Sequence, residues 1–296
     1  MRHIKRELRR DVLPHALLKL PGAHTWYVRK KFGVELALLR GEHQTENSQR
    51  SIIHFSVNKA ATQYVKSILR RCVQESGMTH VQMNEYALDS EFPYLDQLSA
   101  PEMQIYRHIF KPFGYLYSVF GGMVEGIPDL QDYLIILVMR DPRDILTSDY
   151  FSMRFSHRQP RSRTKLESFR AERQLARNGA IDAYVLRESL RLRGTCQRYI
   201  DLLVERPNVR VFAYEDMIAD FPMWLEDLLG HCQLSINSQL ARELVDEARV
   251  SRRMAEDPSR HMRQVAPGDH KKKLRGETIA KLNASFSEIL KRFKYE

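Results

Sequence analysis

Leu134-Ile-Ile-Leu-Val-Met-Arg140-Asp-Pro-Arg-Asp-Ile-Leu-Thr-Ser148 is the stretch of sequence that decides the fold. The short apolar run before Arg140 is typical of a strand that is buried on both faces. Asp141 favours a helix N-cap and Pro142 fits the first helical position, so a helix is predicted to follow at once. Arg140 is therefore predicted at the carboxyl end of a central parallel strand, where open α/β sheets bind their ligands.

The chemistry of this strand end indicates a phosphate ligand. Arg140 offers an always-charged planar fork of donors, and Ser148 adds a hydroxyl eight residues later. Arg143, beside them, is expected to have a structural or solvent-paired role.

A second segment has the same strand-to-helix character. Ser51 to Val57 is a predicted buried strand, residues 58–64 form a tight turn with Lys59 and Thr62, and a helical pattern follows to about Glu75. The N-terminus of such a helix favours an anion, and Lys59 adds a full charge. The Walker pattern Gly-x-x-x-x-Gly-Lys-Ser/Thr is absent, so the turn does not indicate ordinary ATP or GTP hydrolysis.

With these segments the chain resembles the sulfotransferases that use 3′-phosphoadenosine 5′-phosphosulfate (PAPS). Lys59-Ala-Ala-Thr-Gln-Tyr64 is similar to their 5′-phosphosulfate loop, and Arg140 with Ser148 to their 3′-phosphate pair. Val209 to Met217 is similar to a strand ending in Tyr-Glu-Asp-Met. Residues 261–270 are similar to two late motifs, Arg-Lys-Gly and Gly-Asp-Trp. The similarity spans about residues 50–296.

The resemblance implies PAPS as the co-substrate, with no metal, and a set of cofactor-binding residues. These are Lys59, Ala61, Thr62, Gln63, Tyr64, Arg140, Ser148, Tyr214, Arg263 and Gln264. Tyr64 would stack on the adenine, and Tyr214 would lie near it. Arg140, Ser148 and Arg263 would bind the 3′-phosphate.

Several positions depart from the family pattern. Ala60-Ala61 stands where Ser-Gly is usual, and Gln63, Tyr64, Gln264 and His270 replace Thr, Trp, Lys and Trp. A Cβ penalises the left-handed region, so Ala61 is expected to have a negative φ.

The fold implied is an α/β fold of three layers around a parallel sheet of about five strands, the P-loop-NTPase-like sulfotransferase fold. The remaining strands are predicted at about 79–83, 114–120 and 209–213, alternating with helices. The domain is expected to cover residues 50–296, after a basic extension over residues 1–49. Residues 156–175, dense in Arg, Ser and Gln, are predicted to form a mobile loop.

The first forty residues carry ten Lys or Arg and three acids, so +7 of the net charge of +10 lies there. This extension either lies on an anionic membrane surface or packs on the domain, and Pro14 and Pro21, which break a helix, favour packing. Apolar runs are too short to span a bilayer.

Three scattered Cys indicate a reducing, cytoplasmic compartment. No motif indicates nucleic-acid binding, and a monomer or homodimer is expected.

Sulfuryl transfer needs a cation at the leaving oxygen and a base for the acceptor. Lys59 is the predicted cation. His157 is the first candidate base and Glu85 the second, with His80 and His108 also considered. The resemblance implies a His base in cytosolic members about 22 residues before the strand-end Arg, and that position is Ser118 here. His54, within a core strand, is expected to be structural.

The predicted function is transfer of a sulfuryl group from PAPS to a hydroxyl or amine of a small molecule or glycan. A basic loop with Arg158, Arg161, Arg163 and Lys165 would suit an acidic saccharide, or would only be solvated. Two alternatives stay open: a P-loop-like nucleotide-dependent kinase, and a non-enzymatic basic scaffold with a degenerate nucleotide pocket.

Overall fold

A computed structural model describes residues 22–252 and 265–295 of the chain. Its central sheet has five parallel strands: β1 (Ile52–Ser56), β2 (Thr79–Val81), β3 (Tyr115–Phe120), β4 (Leu134–Met139) and β5 (Val209–Ala213). Their spatial order is β2-β3-β1-β4-β5. The predicted parallel sheet is confirmed, with β1 at its centre.

The helices that cover the sheet are α1 (Ala23–Lys31), α2 (Gly33–Leu39), α3 (Thr62–Glu75), α4 (Met83–Asp89), α5 (Ala100–Met103), α6 (Pro142–Phe151), α7 (Arg163–Asn178), α8 (Ile181–Tyr199), α9 (Tyr214–Ala219), α10 (Phe221–Cys232), α11 (Ser238–Arg252), α12 (His270–Lys273), α13 (Gly276–Ser285) and α14 (Ser287–Arg292). Single turns of π-helix extend α6 over Ser152–Ser156 and α8 over Ile200–Val204.

The sheet separates two apolar cores because successive side chains of a strand point to opposite faces. Ile53 and Phe55 of β1 join one core with α8 and α13, whereas Ile52 joins the other with α3 and α10. β4 is buried along its whole length, as expected of a strand covered on both sides. The result is the predicted three-layer arrangement.

The strand register brings three polar segments to one edge. Ser56 at the end of β1 lies opposite Val138 of β4, and Met139 lies opposite Ala213 of β5. The residues that follow these strands therefore emerge side by side at the carboxyl edge of the sheet. They are the loop after β1, Arg140 and Tyr214.

The prediction of a mobile loop over 156–175 is wrong, because helix α7 begins at Arg163. The buried side chains of α7 are Phe169 and Ala176, which lie seven residues apart on one face, so the apolar stripe is narrow among many charged residues. Its Arg, Lys, Glu, Leu and Ala residues have high helix propensity. Ser162 caps it by accepting a hydrogen bond from the Lys165 N–H, and Glu91 accepts one from the Arg163 N–H.

Helices α1 and α2 belong to the described part of the basic extension, and both contact the rest of the chain. Phe32, between them, is fully buried against Tyr86, and Leu38 joins a sheet core. Lys31 Nζ lies 3.3 Å from Asp89 Oδ2. Within residues 22–252 and 265–295, every helix is too short or too polar to cross a bilayer.

Candidate functional site

The turn between β1 and α3 has the backbone geometry of an anion-binding loop. Lys59 and Ala61 both have positive φ angles, of 75° and 57°, and Ala60 between them is not among the positive-φ residues. Alternation of this kind turns successive N–H groups toward one point. The hydrogen bonds of α3 start with the Tyr64 N–H, which donates to the Ala61 carbonyl, so the N–H groups of Thr62 and Gln63 precede the helical ladder.

The expectation of a negative φ at Ala61 is wrong. The Cβ of an L-residue in the left-handed region costs roughly 1–2 kcal/mol, and this turn retains that strain. The hydrogen bonds from the Tyr64 and Val65 N–H groups to the Ala61 carbonyl, at 2.8 and 3.0 Å, hold the residue in place.

Replacing Ala61 with glycine is therefore expected to stabilise the protein. The relieved strain exceeds the entropy that a glycine adds to the unfolded chain, leaving a gain of about 0.5–1 kcal/mol in the free energy of unfolding. Urea denaturation would measure it, with Ala60→Gly as the control: Ala60 is not among the positive-φ residues. A loss of stability in Ala61→Gly comparable to that of Ala60→Gly would contradict the strain assigned to this turn.

The first three residues of α3 differ in their burial and in their contacts around the β1–α3 turn. Thr62 is buried, and its hydroxyl lies 3.1 Å from both the Val57 carbonyl and the Ser56 hydroxyl, so it can donate inward and hold the turn. Gln63 is exposed. Tyr64 is half-buried, and its ring packs 6.1 Å from that of Phe221.

Arg140 reaches from the end of β4 to the β1–α3 turn. Its Nη1 donates to the Lys59 carbonyl at 3.0 Å, and its guanidinium stacks on the Tyr214 ring, 4.3 Å from the centroid. Nη2 lies 3.7 Å from Asp144 Oδ2. The side chain is only about 6% exposed, and its Nε–H is a buried donor without a hydrogen-bond partner among the described residues. Such a donor suits a bound anion.

Asp144 was not singled out from the sequence, yet three donors from one distant segment converge on its carboxylate. It accepts from the Gly268 N–H at 2.6 Å, the His270 N–H at 2.9 Å and His270 Nδ1 at 2.7 Å. Burial alone would raise the pKa of Asp144, but the His270 hydrogen bonds, the Arg140 charge and the Gly268 N–H together lower it to about 2. The available sequence signal was its place in Arg-Asp-Pro-Arg-Asp.

Four other predicted binding residues have different positions. Ser148 is half-buried two turns into α6. Tyr214 is buried, with its hydroxyl bonded to the Val265 carbonyl and its ring beside Arg140. Arg263 and Gln264 lie outside the described residues. Arg143 is structural: it bonds Asp141, Asn283 and the Tyr295 carbonyl.

His157 follows the π-turn at the end of α6 and lies within electrostatic reach of Lys59. Its Nδ1 is 3.2 Å from Ser152 Oγ, its ring packs 5.7 Å from that of Phe169, and its carbonyl accepts a hydrogen bond from Arg173. Burial, and then the positive charge of Lys59, lower the pKa of His157 below its usual 6.5. The imidazole is therefore neutral at pH 7 and able to accept a proton.

The other candidate bases are occupied elsewhere. Glu85 forms ion pairs with Lys66 and Lys31. His80 Nε2 lies 2.7 Å from Ser118 Oγ, and burial followed by the Lys66 charge lowers the pKa of His80 to about 3. His108 is exposed and contacts the Leu39 carbonyl. Accordingly, His157 is the candidate whose pKa responds to the charge of Lys59.

Two other observations limit the chemistry of the site. In the parts of the chain that the structure describes, no three His, Cys, Asp or Glu side chains are grouped as metal ligands. His54 is fully buried, and burial lowers its pKa to about 3, as expected of a core histidine. The arrangement is thus a cationic edge with a neutral imidazole beside it.

Comparisons with known proteins bear on this geometry. The family model described as "Sulfotransferase domain" matches residues 49–294. No curated protein matches the chain in sequence. The solved structure of mouse sulfotransferase SULT7A1 complexed with PAP is 15% identical, with a TM-score of 0.55 over 86% of this chain and 89% of that one. Retinol dehydratase in complex with androsterone and inactive cofactor PAP is 12% identical, with a TM-score of 0.45 over 81% and 80%.

Proposed function

Because the chain belongs to the sulfotransferase family, we propose that it transfers a sulfuryl group from PAPS to a hydroxyl or amine acceptor. One observation carries the proposal: Arg140 Nη1 donates to the carbonyl of Lys59, so two cationic residues share one edge of the sheet. PAPS has anionic groups at both its 3′ and 5′ ends, and cations at neighbouring strand ends match that distribution.

In the proposed complex, the β1–α3 turn binds the 5′-phosphosulfate. The N–H groups of residues 61–63, which precede the helical ladder, donate to it, and this leaves the Thr62 hydroxyl in its inward hydrogen bond. Lys59 stabilises the negative charge that develops on the bridging oxygen as the sulfur–oxygen bond breaks. Gln63 lies at the same helix terminus, and Tyr64 and Tyr214 would border the adenine. Arg140, Ser148 and the sequence-predicted pair Arg263 and Gln264 would bind the 3′-phosphate.

His157 is the proposed general base. If Nδ1–H donates to Ser152 Oγ, Nε2 carries the free lone pair and takes the proton from the acceptor as the new oxygen–sulfur or nitrogen–sulfur bond forms. The ion pairs of Glu85 favour His157 over it, because a carboxylate held by two ammonium groups is a weaker base.

Replacing His157 with asparagine is expected to reduce kcat by about 10²–10⁴-fold, because the amide cannot accept the proton. The lowered pKa of His157 places the acid limb of the wild-type kcat/KM profile below pH 6.5, with a plateau above it, since activity needs the neutral imidazole. His108→Asn, at an exposed histidine, is the control and should match wild type. An unchanged acid limb in His157→Asn would exclude this residue as the base.

We propose a small neutral or weakly charged molecule as the acceptor, in preference to an acidic saccharide. Three of the four basic residues that suggested a saccharide make internal contacts, and the side chain of Arg163 is exposed. Arg158 and Arg161 pair with Asp89, whose side chain is fully buried, and Lys165 donates to backbone carbonyls at the end of α4. These contacts connect residues 158–165 to the end of α4, so these side chains are already paired within the protein.

A transfer assay tests the function. The protein is incubated with PAPS and panels of alcohols, phenols, amines and glycans, and mass spectrometry follows PAP and any product heavier by one SO₃ group. We expect matched formation of both with some acceptor, and no phosphorylated product when ATP and Mg²⁺ replace PAPS. Phosphoryl transfer would support the kinase alternative, and binding without transfer the scaffold alternative; the comparisons support neither.

We further propose a cytoplasmic enzyme whose basic N-terminus touches anionic membranes. Three free buried cysteines suit a reducing compartment. On α1, Trp26 is 55% exposed, Lys30 Nζ lies 5.0 Å from its ring centroid, and Arg29 is exposed beside them, a combination suited to a lipid interface. Co-sedimentation with phosphatidylserine vesicles, lost in Trp26→Ala/Lys30→Glu, would support this; equal binding to neutral vesicles would contradict it.

A further inference from the structure

Asp144 lies where a carboxylate competes with the ligand proposed for Arg140. A carboxylate and a phosphate both use the planar fork of a guanidinium, and a bidentate Arg–Asp pair would occupy the donors that a phosphate needs. Yet Asp144 Oδ2 lies 3.7 Å from Arg140 Nη2, beyond hydrogen-bond distance, although both side chains are buried and four residues apart on one turn.

The donors that surround Asp144 account for this separation. His270 Nδ1 and the His270 N–H both lie within 3 Å of Oδ1, and the Gly268 N–H lies 2.6 Å from Oδ2. His270 is about 1% exposed and packs at the start of α12, so its imidazole cannot turn away easily. The Asp144 carboxylate is therefore held by three hydrogen bonds from the 268–270 segment and by none from Arg140.

We propose that His270 is a positioning residue that keeps Asp144 from pairing fully with Arg140, and so leaves the guanidinium able to bind a 3′-phosphate. This inference rests on the proposed function of Arg140. Asp144 then has two effects: it orients Arg140 from 3.7 Å without neutralising its fork, and it ties the 268–270 segment to α6. The imidazole departs from the family pattern, since the resemblance implies Trp at position 270.

Two substitutions of His270 separate the hydrogen bond from mere packing. His270→Asn retains an N–H donor close to the position of Nδ1, whereas His270→Leu fills similar space without a donor. In His270→Leu, Asp144 is expected to close on Arg140 and weaken PAP binding by about tenfold or more, the value of one charge-assisted hydrogen bond. His270→Asn should remain within about threefold of wild type.

The readout is the ratio of PAP to AMP affinity in each variant, measured by isothermal titration calorimetry. AMP lacks the 3′-phosphate, so damage to the β1–α3 turn or partial unfolding lowers both affinities and leaves the ratio unchanged. The double variant His270→Leu/Asp144→Asn tests the cause, because the amide does not compete for Arg140. The ratio lost in His270→Leu is expected to recover in it.

Several outcomes overturn the inference. They are an unchanged ratio in His270→Leu, an equal loss in His270→Asn and His270→Leu, or no recovery in a folded double variant. If Asp144→Asn prevents folding, the comparison of the two single variants decides alone. A wild-type ratio near one would instead refute the proposed role of Arg140, which distinguishes failure of the function from failure of this inference.

Discussion

Replacing Lys59 with alanine is expected to reduce the rate of sulfuryl transfer by about 10²–10³-fold, while nucleotide binding falls by far less. Charge on the bridging oxygen is greatest in the transition state, so removal of the cation there affects kcat more than ground-state affinity. The backbone should tolerate the change, because lysine and alanine both carry a Cβ at this left-handed position, where φ is 75°. The contact from Arg140 is to the Lys59 carbonyl, which the variant retains.

The measurement is single-turnover transfer under saturating PAPS, together with calorimetric binding of PAP. Lys281→Ala removes an exposed lysine that is paired with Glu277 and serves as the control. Lys59→Ala with wild-type kcat would refute the assigned role. A loss of PAP affinity with kcat unchanged would reduce Lys59 to a ground-state phosphate ligand.

Replacing Arg140 with alanine is expected to weaken PAP binding by about 100-fold or more while AMP binding changes little. The guanidinium is the buried cation at the end of β4, and its Nε–H has no partner among the described residues, so a 3′-phosphate would lose its main donors. Removal also leaves the buried Asp144 carboxylate without its neighbouring charge, which should lower the free energy of unfolding by a few kcal/mol.

Arg140→Lys distinguishes charge from geometry. Lysine keeps a positive charge near Asp144 and should preserve most of the stability, but its ammonium cannot form a two-pronged contact. Its PAP affinity is expected to fall between those of wild type and Arg140→Ala. Parallel loss of PAP and AMP affinity in both variants would show that Arg140 supports the fold rather than the 3′-phosphate.

The main features of the fold could be predicted because the strands are short apolar runs bounded by polar turns. Leu134–Met139 and Ile52–Ser56 gave a clear signal, and their register follows from parallel pairing. Helix α7 was missed because its apolar stripe is narrow among many charged residues, while helix propensity and capping by Ser162 and Glu91 support the rest.

The parts of the site that could be predicted from the sequence are the residues that belong to short local motifs. Lys59 and Arg140 belong to strand-end turns and are brought together by the sheet. The conformation of Ala61 was not predictable, since local sterics favour a negative φ and the turn overrides them. Asp144 with His270 could not be paired either, because they are 126 residues apart and only tertiary contact joins them.

A crystal structure of the protein with PAP tests the central claim most directly. The account predicts the 5′-phosphate within hydrogen-bond distance of the backbone N–H groups of residues 61–63 and of Lys59 Nζ, and the 3′-phosphate against the Arg140 guanidinium. PAP bound away from this edge, or bound with its 3′-phosphate in the β1–α3 turn, would contradict it.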